Sequence, residues 1–144
     1  MNTDQVETAD PRAAADADVA SARRLAATGE ADEAVELADR AITTYLEELG
    51  DVASAAQVLL FLGRLEDTRG RTDVAAAQLR SAVEGFVVTH DDRAGEAADE
   101  LVALLRRTGQ DDRVEEFLAW QSWLVGTVAG ERDRTSAAGR RRAP

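Results

Sequence analysis

The chain has no cysteine. It therefore forms no disulfide and no thiolate zinc site. It also lacks lysine: all 17 of its positive residues are arginine. Together with abundant alanine, this is the coding habit of a GC-rich bacterial genome, a statement about ancestry rather than activity. Aromatic residues make up only 4% of the chain, so a core must be aliphatic and alanine-rich. Runs rich in Val, Ile, Thr and Tyr, the mark of strands, are missing. The nearest, Phe86-Val87-Val88-Thr89, is short and sits inside a helical pattern. No stretch approaches the ~20 apolar residues of a membrane-spanning helix. The N-terminal residues are acidic (Asp4, Glu7, Asp10) and do not follow the basic-then-apolar order of a secretory signal. A reducing cytoplasm is the expected location.

What is present is enough to fold. The 144 residues fit one domain, and 44% of them are hydrophobic. The net charge is −11, unevenly spread. All 28 acids lie at or before Asp133, with thirteen arginines, leaving that body at −15; Arg134, Arg140, Arg141 and Arg142 follow it. Such a body repels phosphate backbones and anionic membranes and stays soluble. Membrane association is not expected, and direct nucleic-acid binding is disfavoured. The Arg140–Arg142 run is too short for more than a weak electrostatic footprint.

Three segments of the chain align with one another. They run from Leu25 through Gly29 and Ala34 to Ala41, from Glu66 through Gly70 and Ala75 to Ala82, and from Leu105 through Gly109 to Val114 and Leu118. The glycines recur at spacings of about 40 residues, in the range of helical repeats. A glycine just past a helix end takes the left-handed cap without steric cost. Asp32, Thr72 and Asp111 or Asp112 are then the expected caps of the following helices, with Glu115 placed for a capping box. The small residues five and twelve past the first two glycines, Ala34 and Ala41, Ala75 and Ala82, lie on one face of the second helix, where they allow close approach; Gly63 and Ala22 are their partners on the first helices. The 3.6-residue periodicity predicts helices at roughly 13–28, 33–48, 52–69, 73–89, 93–108 and 112–128. Short loops make consecutive helices antiparallel. Residues 1–12 read as a disordered acidic arm, 13–129 as the helical domain and 130–144 as a disordered arginine-containing tail.

With these residues in place, the chain resembles the tetratricopeptide repeat family. The resemblance is carried by Leu62-Gly63-Arg64-Leu65, Gly70, Ala75, Leu79, Ala82 and Phe86, by Gly29, Ala34 and Ala41 in the first hairpin, and by the Gly50-Asp51 connection. The family's usual repeat is 34 residues; the longer spacing here resembles a bacterial variant with extended second helices. The third hairpin departs most, with Val114 and Gln121 where the others have alanine and Val102 in place of Gly63. The resemblance implies an all-α solenoid of about three antiparallel hairpins wound as a right-handed superhelix; a plain helical bundle is the alternative topology. It implies a protein–protein adaptor or scaffold with no cofactor, whose partner binds the concave lining. By that analogy the lining includes Arg23, Gln57, Phe61, Arg64, Arg106 and Arg107, suited to an acidic or C-terminal carboxylate peptide. The lysine and asparagine clamp that the family uses for chaperone tails has no counterpart there.

Two further readings concern the last helix and the possibility of chemistry. Val114, Phe117, Leu118, Trp120, Trp123, Leu124, Val125 and Val128 make that helix apolar almost all round, with no following hairpin to cover it. Phe117, Trp120, Trp123 and Leu124 are therefore a candidate interface, including for a homodimer. The competing reading is that Trp123 folds back on its own hairpin. Likewise the arginines of the lining have neighbouring acids to pair with, Asp67, Asp99 and Glu100 among them. For catalysis, His90 is the sole histidine and lacks companion ligands for a metal. Adjacent acids such as Glu47-Glu48, Asp99-Glu100 and Glu115-Glu116 do not face each other on a helix. No nucleophile elbow, phosphate loop or Cys/His pair occurs. The expectation is a non-enzymatic adaptor; the alternative is a component or sensor segment of a transcriptional regulator.

Overall fold

The computed structural model describes residues 10–142, with side chains up to 138. Within that span the chain is all-helical: α1 (Pro11–Ala27), α2 (Ala31–Thr43) continued by a π-helical turn (Thr44–Glu48), α3 (Val52–Thr68), α4 (Thr72–Val88), α5 (Arg93–Arg107) and α6 (Asp111–Arg142). These bounds lie within two residues of the sequence expectation, with one exception. Helix α6 continues to Arg142, through the segment read as a disordered tail. Gly130 and Gly139 each cost a helix interior only ~1 kcal/mol, and alanines and arginines around them favour helix. The expected acidic arm falls mostly on residues 1–9, outside the described span; Pro11 already opens α1, capped by Asp10, whose side chain accepts from the Arg12 amide.

The turns repeat one device. Glu30 N–H donates to Leu25 O at 2.8 Å, Arg71 to Glu66 at 2.9 Å, Asp91 to Phe86 at 2.8 Å and Gln110 to Leu105 at 2.8 Å. Each is the six-residue bond of a Schellman turn, with the residue before the donor in the left-handed region. Gly29, Gly70 and Gly109 occupy that position at φ 85°, 77° and 73°, and His90 does so at φ 54°. The turn is so tight that its last residue starts the next helix: Ala34 N–H donates to Glu30 O, Ala75 to Arg71 O and Val114 to Gln110 O. Glu30 and Arg71 are thus the N-caps, without side-chain caps. Asp32 and Thr72 do not cap. With the cap position already spent on the turn, Asp32, Asp111 and Asp112 fall inside the first turns, where their charge suits the helix dipole. At the Gly50-Asp51 connection, which is of another kind, a side chain does cap: Asp51 accepts from the Ser54 amide at 3.0 Å.

Consecutive helices pack together, α1 on α2, α3 on α4 and α4 on α5, while α6 leans on both α4 and α5. The core divides in two. One cluster is built mainly of alanine: Ala15, Ala22, Ala34, Ala38 and Ala41, with Tyr45, Ala55, Val58 and Leu62. The other gathers Leu79, Val83, Phe86, Leu101, Leu104, Leu105, Val114 and Phe117 around Ala56 and Leu60. Helix α3 supplies a face to each. Its contact with α4 is closest at two glycines: a Cβ on Gly63 would come within 2.7 Å of Leu79 Cγ, and one on Gly85 within 2.8 Å of Ala56 Cβ. The small residues expected to key the pairs, Ala22, Ala34, Ala41, Ala75 and Ala82, are fully buried. One buried charge lies beside this seam. Glu66, 2% exposed, accepts from Arg69 at 2.6 Å and faces Arg71 at 3.6 Å, while Arg69 reaches on to Asp32 of α2. A buried carboxylate is tolerable only with such partners, and this pairing closes the turn between α3 and α4 onto α2.

Candidate functional site

An open groove of about 330 Å³ is lined by Arg23 of α1, by Gln57, Leu60, Phe61 and Arg64 of α3, and by Arg93 and Glu96 of α5. It lies across the first helix of each pair. The structure thus brings together four of the six residues singled out for a partner-binding face. The spacing that does this is helical: Gln57, Phe61 and Arg64 recur at i, i+4 and i+7 on one face of α3.

The arginines of this groove differ in what they are free to do. Arg64 Nε donates to the Glu100 oxygens at 2.8 and 2.9 Å, and its Nη2 donates to Glu96 at 2.7 Å. The Glu100 hydrogen bonds, with Glu96 behind them, raise its pKa above the ordinary guanidinium value. Arg93 is held by Asp91, at 2.9 Å from Nε and 2.6 Å from Nη2, and that hydrogen bonding drives the Asp91 carboxyl down to about 2. Gln57 sets its side-chain amide against the Arg93 guanidinium. Arg23 is different. Its guanidinium carbon stands 5.0 Å from the centre of the Phe61 ring, and among the described residues it makes no ion pair. A cation stacked on a half-buried aromatic ring keeps its N–H edges available to an incoming acceptor.

The other two lining residues lie apart from the groove. Arg107 donates to both Asp67 oxygens, at 2.8 and 2.7 Å, tying α5 to α3. Arg106 is exposed near the end of α5. The competing expectation of ion pairing is therefore met at Glu100 and Asp67 but not at Asp99. Arg64–Glu100, Arg64–Glu96 and Arg107–Asp67 all join α3 to α5, so they align the groove wall as well as neutralise it.

The second candidate surface divides sharply. Phe117 and Leu124 are buried against the body, and Trp120 is half-buried, 5.9 Å from the Phe117 ring and covered by the Arg80 guanidinium at 4.2 Å. Phe117 and Leu124 are core residues, and Trp120 packs against that core. Trp123 is 63% exposed, and Leu118 and Val125 are exposed with it. Trp123 does not fold back on its hairpin. His90 stays in its turn, exposed, beside Val87, Val125, Val128, Ala129, Arg132 and Asp133.

Sequence reasoning passed over Glu96, whose carboxylate answers Arg64, and the Glu66–Arg69–Asp32 network. An acid one turn from Glu100 on the same helix face was the available signal for Glu96. Among the described residues, no helix is long and apolar enough to cross a membrane, and no three His, Asp or Glu side chains gather as a metal site. No family model, curated protein or solved structure matches the chain.

Proposed function

We propose that the chain is a non-catalytic adaptor, a short solenoid of tetratricopeptide-type hairpins, that holds a peptide segment of a partner protein in the groove across α1, α3 and α5. The observation that carries this reading is Arg23 stacked on Phe61. An apolar platform and an unengaged bidentate donor stand side by side, on a wall whose other arginines are already fixed by Glu96, Glu100 and Asp91. The ligand it suits is an extended peptide with an apolar side chain next to a carboxylate, either an acidic residue or a chain terminus. The apolar group buries against Phe61 and Leu60, and the carboxylate takes the Arg23 fork. Glu96 at the rim sets the direction, because it repels a second acid placed on its side.

The test is a fluorescence-anisotropy screen of short peptides that pair an apolar residue with carboxylates in both orders and at the C-terminus. Binding by one order is expected. Arg23→Glu should weaken it by about tenfold or more, or ~1.4 kcal/mol, with the helical circular dichroism unchanged. Phe61→Ala should act likewise, and Trp123→Asp should not. No binding by any peptide, or binding indifferent to Arg23, would remove the groove from consideration.

A further inference from the structure

Two glycines of α6 have no explanation within the molecule. A Cβ on Gly126 or on Gly130 would meet nothing within 4 Å. Each costs the helix ~1 kcal/mol relative to alanine, and neither turns the chain, since α6 runs straight through both. They belong to a stripe. Asp112, Glu116, Ala119, Trp123, Gly126, Gly130, Asp133 and Ala137 recur at alternating steps of four and three residues, the spacing of a helix–helix seam. The stripe faces away from the contact that Phe117 and Leu124 make with the body, and it is exposed or half-exposed along its whole length. Its single large side chain is Trp123, 63% exposed.

The charge along α6 is graded. Residues 111–116 carry four acids and Arg113, a net −3; residues 131–142 carry Glu131 and Asp133 against five arginines, a net +3. A helix acidic at its start and basic at its end is complementary to itself when reversed. We propose that the chain pairs with a second copy of itself through α6, antiparallel, about an axis between Gly126 and Thr127, the midpoint of the helix.

That register brings the features together. Trp123 lies level with Gly130 of the second copy, and by symmetry Gly130 with the second Trp123. The indole fills the space that the missing side chain leaves, and small residues let two helix backbones approach closely. Asp112 comes level with Arg141 of the second copy, Glu116 with Ala137, and Arg134 with Ala119 one turn from Glu115. A parallel arrangement would instead set acid against acid and Trp123 against Trp123. The two acidic bodies lie on opposite sides of the helix pair, separated by more than the ~8 Å over which salt screens charge under physiological conditions. This self-pairing leaves the α1–α3–α5 groove open, so it stands or falls separately from the peptide reading.

A chain without cysteine makes the test clean. In the proposed register, Gly126→Cys places two thiols within one residue's rise of each other along the axis. Ala119→Cys places them about 22 Å apart at 1.5 Å per residue, beyond the ~7 Å reach of a disulfide. Under mild oxidation Gly126→Cys should give a covalent dimer and Ala119→Cys should not. Sedimentation equilibrium of the parent chain should show a dimer that Trp123→Ala weakens about tenfold or more, with helicity unchanged because the indole is mostly outside the fold. Cross-linking at both positions, or at 119 alone, would overturn the antiparallel register. A parent chain monomeric at high micromolar concentration, or a dimer indifferent to Trp123→Ala, would overturn the pairing itself.

Discussion

In the α3–α4 pair, Gly63 and Gly85 draw two helices together until no Cβ fits at either point, and Ala75 and Ala82 line the space between. In the α5–α6 pair, joined by the same kind of turn, Val102 and Val114 stand where Gly63 and Ala75 were, Phe117 packs into the same core, and far fewer backbone positions come close. The first pair is keyed by absence of side chains and the second by their bulk. A seam of glycine and alanine has one solution, because backbone sets the spacing. A seam of valine and phenylalanine sets its spacing by side-chain volume, and α6 settles against both α4 and α5 as a result. The turn alone therefore does not determine how a hairpin closes.

The largest effect should come from removing the bulk. Phe117→Ala leaves a cavity between α6 and the body and should cost about 3 kcal/mol in urea unfolding; a cost under ~1 kcal/mol would mean that α6 closes the gap by moving inward, as a small-residue seam would. Adding bulk to the other seam comes next. Gly63→Val drives new atoms into Leu79 and toward the Ala75 carbonyl, and should destabilise by about 2 kcal/mol. The reverse experiment at the third seam, a larger residue at Val102, should be tolerated far better, because Val102 is only partly buried.

The smallest effect sharpens the comparison at the alanine-rich end. Tyr45, the chain's single tyrosine, is buried at the π-helical turn and donates to Asp16 of α1. Burial, and then the Asp16 hydrogen bond and charge, push its pKa from 10 up to about 12. The folded state thus favours the neutral phenol. Its contribution is complete below pH 10 and is lost as pH rises from 10 through about 12. Phenolate absorbance of the folded chain should titrate near 12. Tyr45→Phe should lose about 1 kcal/mol at neutral pH and unfold with a shallower alkaline slope. A phenol that titrates near 10 with the fold intact would show that the polar tie is not closed.

Much of this was legible because some positions admit few residues. Gly29, Gly70 and Gly109 marked three turns since a left-handed residue is most cheaply glycine. The fourth turn, placed at 90–92 by the helical periodicity on either side, has His90 in that position, one of the residue types that tolerates the same region. Caps were misplaced at Asp32 and Thr72 because a composition rule knows preferred residues but not that a Schellman turn hands its last residue to the next helix. The far end of α6 was misread because Gly130 and Gly139 looked like breaks. In the groove, Arg23, Gln57, Phe61 and Arg64 came from helical spacing on first helices. Whether an arginine was free or engaged depended on acids 32 to 40 residues away, Glu96, Glu100 and Asp67, whose placement is a property of packing between hairpins. Trp120 and Trp123 are three residues apart, yet one packs on Phe117 under Arg80 and the other stands outside the fold.

Helix α3 is a wall shared by two rooms. Ala55 belongs to the alanine-rich cluster and Ala56, its neighbour in sequence, to the leucine- and phenylalanine-rich one. A one-residue insertion or deletion within α3 would rotate everything beyond it by about 100°, sending each residue to the wrong side at once. The turns can drift in length between descendants of this chain. Helix α3 cannot, and a lineage would be expected to preserve its residue count more strictly than the identity of most residues on it.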